Sequence, residues 1–313
     1  MNNKIKNIGL QNYSEVEERK VSTLLTGNKK FDKFFSFIGG VPWGTMNYIT
    51  GSSGAGKTTI SAMLQAIIED VKSAMYQRES LASQVRDRNK NIGFHKNCFI
   101  ADVKSCPHME DFMDEVSRLG IKILFLDSLQ IIAKDYSEEM GSDRAAEEHV
   151  YMMLLDWVTK TGGIVFLIGH VNKDDQFKGD NGIIQMMDSH MEFIYNKKTN
   201  ERVMRFGQKN REGSNAPDNI LFYDFVGNGK GVNLYTASEW AIIHKKSNIV
   251  QYLAPYMQDY IDAFKDHKSF KKLKKELMSY QHQLLQNENV SQYELLGKMF
   301  TKIGELCEEH KMM

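Results

Sequence analysis

Residues 51 to 58 read Gly-Ser-Ser-Gly-Ala-Gly-Lys-Thr, the spacing G-x-x-x-x-G-K-[ST] of a phosphate-binding loop. Glycines at 51, 54 and 56 leave room for successive backbone N–H groups to turn inward onto phosphate oxygens. Lys57 brings a cation to the β- and γ-phosphates, and Thr58 offers a hydroxyl to the magnesium ion that bridges them. The preceding Met46–Thr50 reads as a short apolar strand. Thr59–Ile68 reads as a helix, so its N-terminus faces the anion. The predicted nucleotide-contacting residues are Gly51, Ser52, Ser53, Gly54, Ala55, Gly56, Lys57, Thr58 and Thr59, and the predicted ligand is ATP with Mg2+.

Three further positions extend this chemistry. Ile123-Leu124-Phe125-Leu126 ends in Asp127, a carboxylate that a buried parallel strand delivers beside the loop. Asp127 and Thr58 are therefore the predicted metal-side residues. Glu79 follows the strand after the first helix and is the candidate for orienting and deprotonating water. His170 ends another apolar strand, where a polar side chain can sense the γ-phosphate.

These residues need a scaffold. From Val21 to about Tyr235, apolar runs alternate with helical patterns, as in βαβ units around a parallel sheet. The expected strands are Met46–Ile49, Ala74–Gln77, Cys98–Ala101, Ile123–Leu126, Gly163–Ile168, Met191–Tyr195, Val203–Gln208 and Ile220–Phe225. The clearest helix spans Asp143–Thr161, capped by Ser142 or Asp143 and followed by Gly162. The expected organisation is an arm over 1–22, an α/β ATPase domain over 23–238 and a helical C-terminal region over 239–313. His95, Cys98, Cys106 and His108 cluster in sequence, but their spacing does not match a usual zinc site, and the cysteines read as reduced core residues.

Composition narrows the classes. With 313 residues, 42% hydrophobic and 26% charged, the chain has the profile of an ordinary globular protein. It lacks an apolar run long enough for a membrane span, and three cysteines are too few for a disulfide framework, so a cytoplasmic protein is expected. Lys plus Arg and Asp plus Glu both number 40, which removes any global field for nucleic acid. The densest basic run is Lys265, Lys268, Lys271, Lys272, Lys274 and Lys275.

Taken in order, the motifs resemble those of the RecA-like ATPases, most closely the RadA branch-migration proteins and next the hexameric DnaB-type helicases. The carrying residues are Thr26-Gly27, Asp32 and Gly39–Gly44, then Gly51–Thr58, Arg78–Val85, Leu126–Gln130, Gly169–Lys173, Gln185–Asp188 and Lys209–Gly213. The resemblance covers about residues 21 to 235. It implies a RecA-like P-loop core with a mainly parallel sheet. It also implies that Lys209 and Arg211 reach a neighbouring subunit's nucleotide, hence a homo-oligomeric ring or filament. Two loops, about 133–144 and 172–182, would line a path for single-stranded or branched DNA. Glu212 stands where the family pattern has an aromatic residue, and the N-terminal arm holds none of the four zinc-binding cysteines usual in RadA. The implied activity is an ATP-hydrolysing motor acting on DNA in recombination, repair or replication. The alternatives are a DnaB-type replicative helicase and a nucleotide-switched, KaiC-like assembly protein.

Overall fold

In the runs Ile123–Asp127 and Ile164–Ile168 every residue is buried, the mark of strands covered on both faces. A computed structural model of the chain describes residues 20–170, 181–214 and 219–243, with the isolated Ser279. The elements follow in chain order: β1 (Thr23–Leu24), α1 (Lys29–Phe35), β2 (Val41–Pro42), β3 (Met46–Gly51), α2 (Lys57–Ile67) and β4 (Ser73–Gln77). Next come α3 (Ala82–Arg88), β5 (Cys98–Asp102), α4 (Met109–Leu119), β6 (Ile123–Asp127), α5 (Leu129–Ala133) and α6 (Ser137–Met140). The series continues with α7 (Asp143–Thr161), β7 (Ile164–Ile168), α8 (Asn181–Met186), β8 (Ser189–Asn196) and β9 (Glu201–Asn210). It closes with β10 (Ile220–Phe225), β11 (Val232–Thr236) and α9 (Ala237–Ile243).

Nine strands form one sheet in the order β11-β10-β9-β8-β3-β7-β6-β4-β5. From β5 to β8 all neighbours are parallel, so the strands share one carboxyl edge. Alternate residues of each strand enter opposite cores. Ile49, Met75, Phe125 and Phe166 face a core closed by α1 and α2, with Phe31, Phe35, Ile60 and Leu64. Tyr48, Tyr76, Leu126 and Leu167 face a core closed by α4, α5, α7 and α8. Phe125 and Phe166 stack at 5.0 Å across β6 and β7, each burying enough apolar surface to contribute about 2 kcal/mol.

The helix expected over Asp143–Thr161 is α7. Ser142 caps it by accepting from the Ala145 N–H at 3.2 Å, and Gly162 ends it at φ 64°. All eight expected strands are present, with edges shifted by a few residues. The sheet is mainly parallel, as expected; β8, β9, β10 and β11 pair antiparallel, because their short connections permit hairpins and leave no room for crossover helices. One expectation needs correction. The segment 133–144, expected as a loop lining a DNA path, is instead mostly helical: the end of α5, a 3-10 turn (Lys134–Tyr136) and α6. Tyr136 anchors it, buried with its hydroxyl donating to Glu110 at 2.8 Å.

At the expected start of the C-terminal region, Trp240 is buried and stacks on Phe222 at 5.2 Å. The basic run 265–275, most of 239–313, nearly all of the 1–22 arm and the expected loop 172–180 lie outside the described residues. Among the described residues no helix is long and apolar enough to cross a membrane.

Candidate nucleotide site

The phosphate loop joins β3 to α2, with Gly56 as the helix N-cap at φ 97°. Neighbouring strands enforce two of its glycines. A Cβ on Gly51 would come within 2.1 Å of the Phe193 carbonyl oxygen on β8, and one on Gly56 within 2.5 Å of the Phe225 ring on β10. The loop is thus shaped by the antiparallel half of the sheet as well as by its own turns. Tyr223 adds a strut, its buried hydroxyl donating to the Ala55 carbonyl at 2.5 Å. Burial pushes that phenol above its ordinary range.

Lys57 is buried and folds back over the loop, donating to the Gly51 carbonyl at 2.5 Å and the Ser52 carbonyl at 3.4 Å. Burial lowers its pKa, while the charges of Asp127 and Glu79 pull the other way. Thr58, in the first turn of α2, donates to Asp127 Oδ2 at 2.6 Å. Gln77, at the end of β4, donates to the same oxygen at 3.1 Å. Burial raises the Asp127 pKa, and the Thr58 hydrogen bond opposes that shift. The Asp127–Ser128 peptide is cis.

Glu79 follows β4 on the same edge. Its Oε1 meets His170 Nε2, which also lies 2.9 Å from the Ser128 hydroxyl. The His170 hydrogen bond is the main reason the Glu79 carboxyl sits below its usual range; burial works against it, and Ser128 assists. Gln77 supports this group too, because its Oε1 accepts from the Glu79 N–H at 3.2 Å. Gln130 fixes His170 by accepting from its backbone N–H at 3.0 Å. Lys57, Thr58, Glu79, Asp127 and His170 therefore stand on one carboxyl edge. The donor set suits a magnesium nucleotide: a glycine cradle a Cβ would fill, a helix N-terminus, a buried ammonium, and a hydroxyl paired with a carboxylate.

Lys209 and Arg211 stand elsewhere. The Arg211 backbone N–H donates to the Asp188 carbonyl at 3.0 Å, and its guanidinium binds Asp188 Oδ1 at 2.9 Å. Asp188 in turn accepts from the Met46 N–H at 2.9 Å, at the amino end of β3. The phosphate loop begins at the other end of that strand, about 17 Å away. Lys209 donates to the Gln185 carbonyl on the Arg211 side of the sheet, and partial burial beside Arg211 holds its ammonium below the ordinary value.

Sequence reasoning missed Gln77, Tyr223, Phe225 and Arg202. Phe225 is 41% exposed with its ring against Gly56. The Arg202 guanidinium lies 4.6 Å from that ring and 4.1 Å from the Tyr195 ring. Only an aromatic residue ending a strand in register with the loop would have signalled it.

This geometry agrees with the comparisons. No family model matches the chain. The DNA repair protein RadA of Streptococcus pneumoniae is 27% identical over 204 residues, covering 64% of this chain and 47% of that protein. RadA of Halalkalibacterium halodurans is 23% identical over 206 residues, covering 65% and 44%. The chain spans a little under half the length of these relatives. The KaiC-like protein PH0186 from Pyrococcus horikoshii superposes with a TM-score of 0.54 at 20% identity, over 69% of this chain and all of that one. The chain has a RecA-like ATPase fold and is related to RadA. Within that fold, the carboxyl edge from Gly51 to His170 is the candidate nucleotide edge, and the Lys209–Arg211 motif occupies the opposite one.

Proposed function

We propose that this chain hydrolyses ATP with Mg2+ in a homo-oligomer whose sites are completed by Lys209 and Arg211 of a neighbouring copy, and that hydrolysis drives movement on DNA. The observation that carries the reading is the separation of the two groups: Arg211 is held through Asp188 at the amino end of β3 and Lys209 by the Gln185 carbonyl, both away from their own chain's loop. The RadA relatives, named as DNA repair proteins, support the DNA part. The chain would comprise an arm (1–22), the RecA-like core (23–238) and a helical region (239–313).

In this mechanism the loop amides, Lys57 and the N-terminus of α2 bind the polyphosphate. Magnesium, held through Thr58 and Asp127, would neutralise charge on the phosphate oxygens. Glu79 holds the attacking water by a hydrogen bond to its carboxylate and accepts its proton. Because its pKa is depressed, Glu79 is ionised at neutral pH and acts more by orientation than by basicity. His170 and Ser128 fix the carboxylate and report on its position to β7. A neighbour's Arg211 stabilises charge developing on the transferred phosphoryl group.

Mixing tests the trans arrangement. Arg211→Ala and Lys57→Ala chains should each be nearly inactive, the former by about a thousandfold. A mixture should regain activity, since some interfaces pair an intact loop with an intact arginine. Normal turnover by dilute, monomeric Arg211→Ala protein would sink the reading.

A second reading, nucleotide-driven assembly without a DNA motor, draws on segment 133–144. It is ordered, it exposes Glu138 and Glu139, and its Asp135 is paired with Arg78 at 2.7 Å. Such a surface repels phosphate backbones. ATPase rates with and without single-stranded DNA at two salt concentrations separate the readings: stimulation supports the motor, and its absence supports the assembly protein.

A further inference from the structure

We infer that the exposed apolar ridge Leu25–Phe37–Ile38 is the surface on which a second copy of this chain seats its nucleotide edge. The inference rests on the trans reading above and names the surface that would bring Arg211 to its target.

The three side chains are 66%, 79% and 62% exposed and line one groove with the aliphatic stem of Lys33. Side chains of this size rarely stand open together unless something covers them. The ridge is joined to the arginine motif by backbone. The Phe37 N–H donates to the Glu212 carbonyl at 3.0 Å, one residue beyond Arg211. The Asn210 side chain donates to the Phe35 carbonyl at 3.1 Å. A Cβ on Gly213 would meet that same Phe35 oxygen at 2.5 Å, so the two segments are packed to contact. Anything that docks on Phe37 and Ile38 therefore lies beside the segment that carries Arg211.

Charge selects the occupant. Lys29 and Lys33 rim the ridge, and Arg211, paired with Asp188, follows on the joined segment. The nucleotide edge of another copy offers the complement: a polyphosphate anion, the carboxylate of Glu79, and exposed Val103 and Phe225 just beyond β5 and at the end of β10. Ridge and nucleotide edge lie on opposite edges of one sheet, so the contact is head-to-tail and each added copy presents a fresh ridge.

The test uses the full chain with a non-hydrolysable ATP analogue. Phe37→Glu should bind the analogue as the wild type does, sediment as a monomer where the wild type assembles, and lose hydrolysis by a hundredfold or more. Its own nucleotide edge is intact, so mixing it with Lys57→Ala, whose ridge and Arg211 are intact, should restore activity. Ile38→Lys should behave the same way. Wild-type assembly and turnover by both variants would overturn the inference, and so would loss of analogue binding in both, which would make the ridge part of the fold. Failure of the wild type to bind the analogue would instead sink the ATPase reading.

Discussion

The Thr58 hydroxyl donates to Asp127 Oδ2 at 2.6 Å, joining the first turn of α2 to the end of β6 across 69 residues of sequence. Gln77 holds the same carboxylate oxygen from β4 at 3.1 Å. Asp127→Asn keeps the shape and removes the charge. It should weaken magnesium dependence of turnover by about 10- to 100-fold, read as a shift in a Mg2+ titration of the ATPase rate. An unshifted titration would remove Asp127 from the metal's surroundings.

Glu79→Gln retains an oxygen for His170 and a side chain of the same size. ATP should bind as before, while single-turnover hydrolysis slows by about 10²- to 10⁴-fold. A rate within a fewfold of wild type would mean that another group handles the water.

Phe225 stands 41% exposed beside the phosphate loop, its ring against Gly56 and within 4.6 Å of the Arg202 guanidinium, and we propose that it stacks on the nucleotide base. Phe225→Ala should cost about 1–3 kcal/mol in ATP binding, tenfold or more in affinity, and leave tripolyphosphate binding unchanged. Equal losses for both ligands would make the ring a prop for Gly56 instead.

His190 is buried on β8, its Nε2 2.8 Å from the Thr50 hydroxyl at the base of the loop. Burial holds its pKa below the ordinary imidazole value of 6.5, with Arg205 acting in the same sense and Glu192 opposing. The unfolded chain therefore takes up the proton first as pH falls. The stability contribution is full above about pH 6.5 and is lost as pH drops through the folded-state value. Melting temperatures from pH 7.5 to 5 should fall more steeply for wild type than for His190→Gln, which keeps a hydrogen-bonding partner for Thr50. Parallel curves would locate the acid sensitivity elsewhere.

Much of this could be read from the residues alone. The apolar runs gave eight strands because burial on both faces leaves no other use for Ile-Leu-Phe-Leu or Ile-Val-Phe-Leu-Ile. Ser142 and Gly162 bounded α7 because capping chemistry is local. The grouping of Lys57, Thr58, Glu79, Asp127 and His170 followed once each was assigned to a strand's carboxyl end. What stayed hidden depends on register between distant strands. Gln77 acts through Asp127, fifty residues away, and Phe225 meets Gly56 only through the pairing of β8, β9 and β10. The short β11, Val232–Thr236, buries Val232 and Leu234 and turns Asn233 outward, an alternation too brief to stand out in the sequence. The separation of Arg211 from its own loop is likewise a property of the antiparallel turn-back of β9, which no local pattern records.

That turn-back makes β9 a ruler. Arg202, near its start, stands beside the phosphate-loop end of the sheet, and Arg211, just past its end, is held by Asp188 at the opposite end. Nine residues of extended strand span about 30 Å, so in the proposed oligomer the pitch from one nucleotide to the next would follow from the length of a single strand. Lengthening β9 and its partner β8 by two residues would keep every side chain on its face and still move Arg211 about 7 Å out of reach, uncoupling neighbouring sites with every chemical group intact.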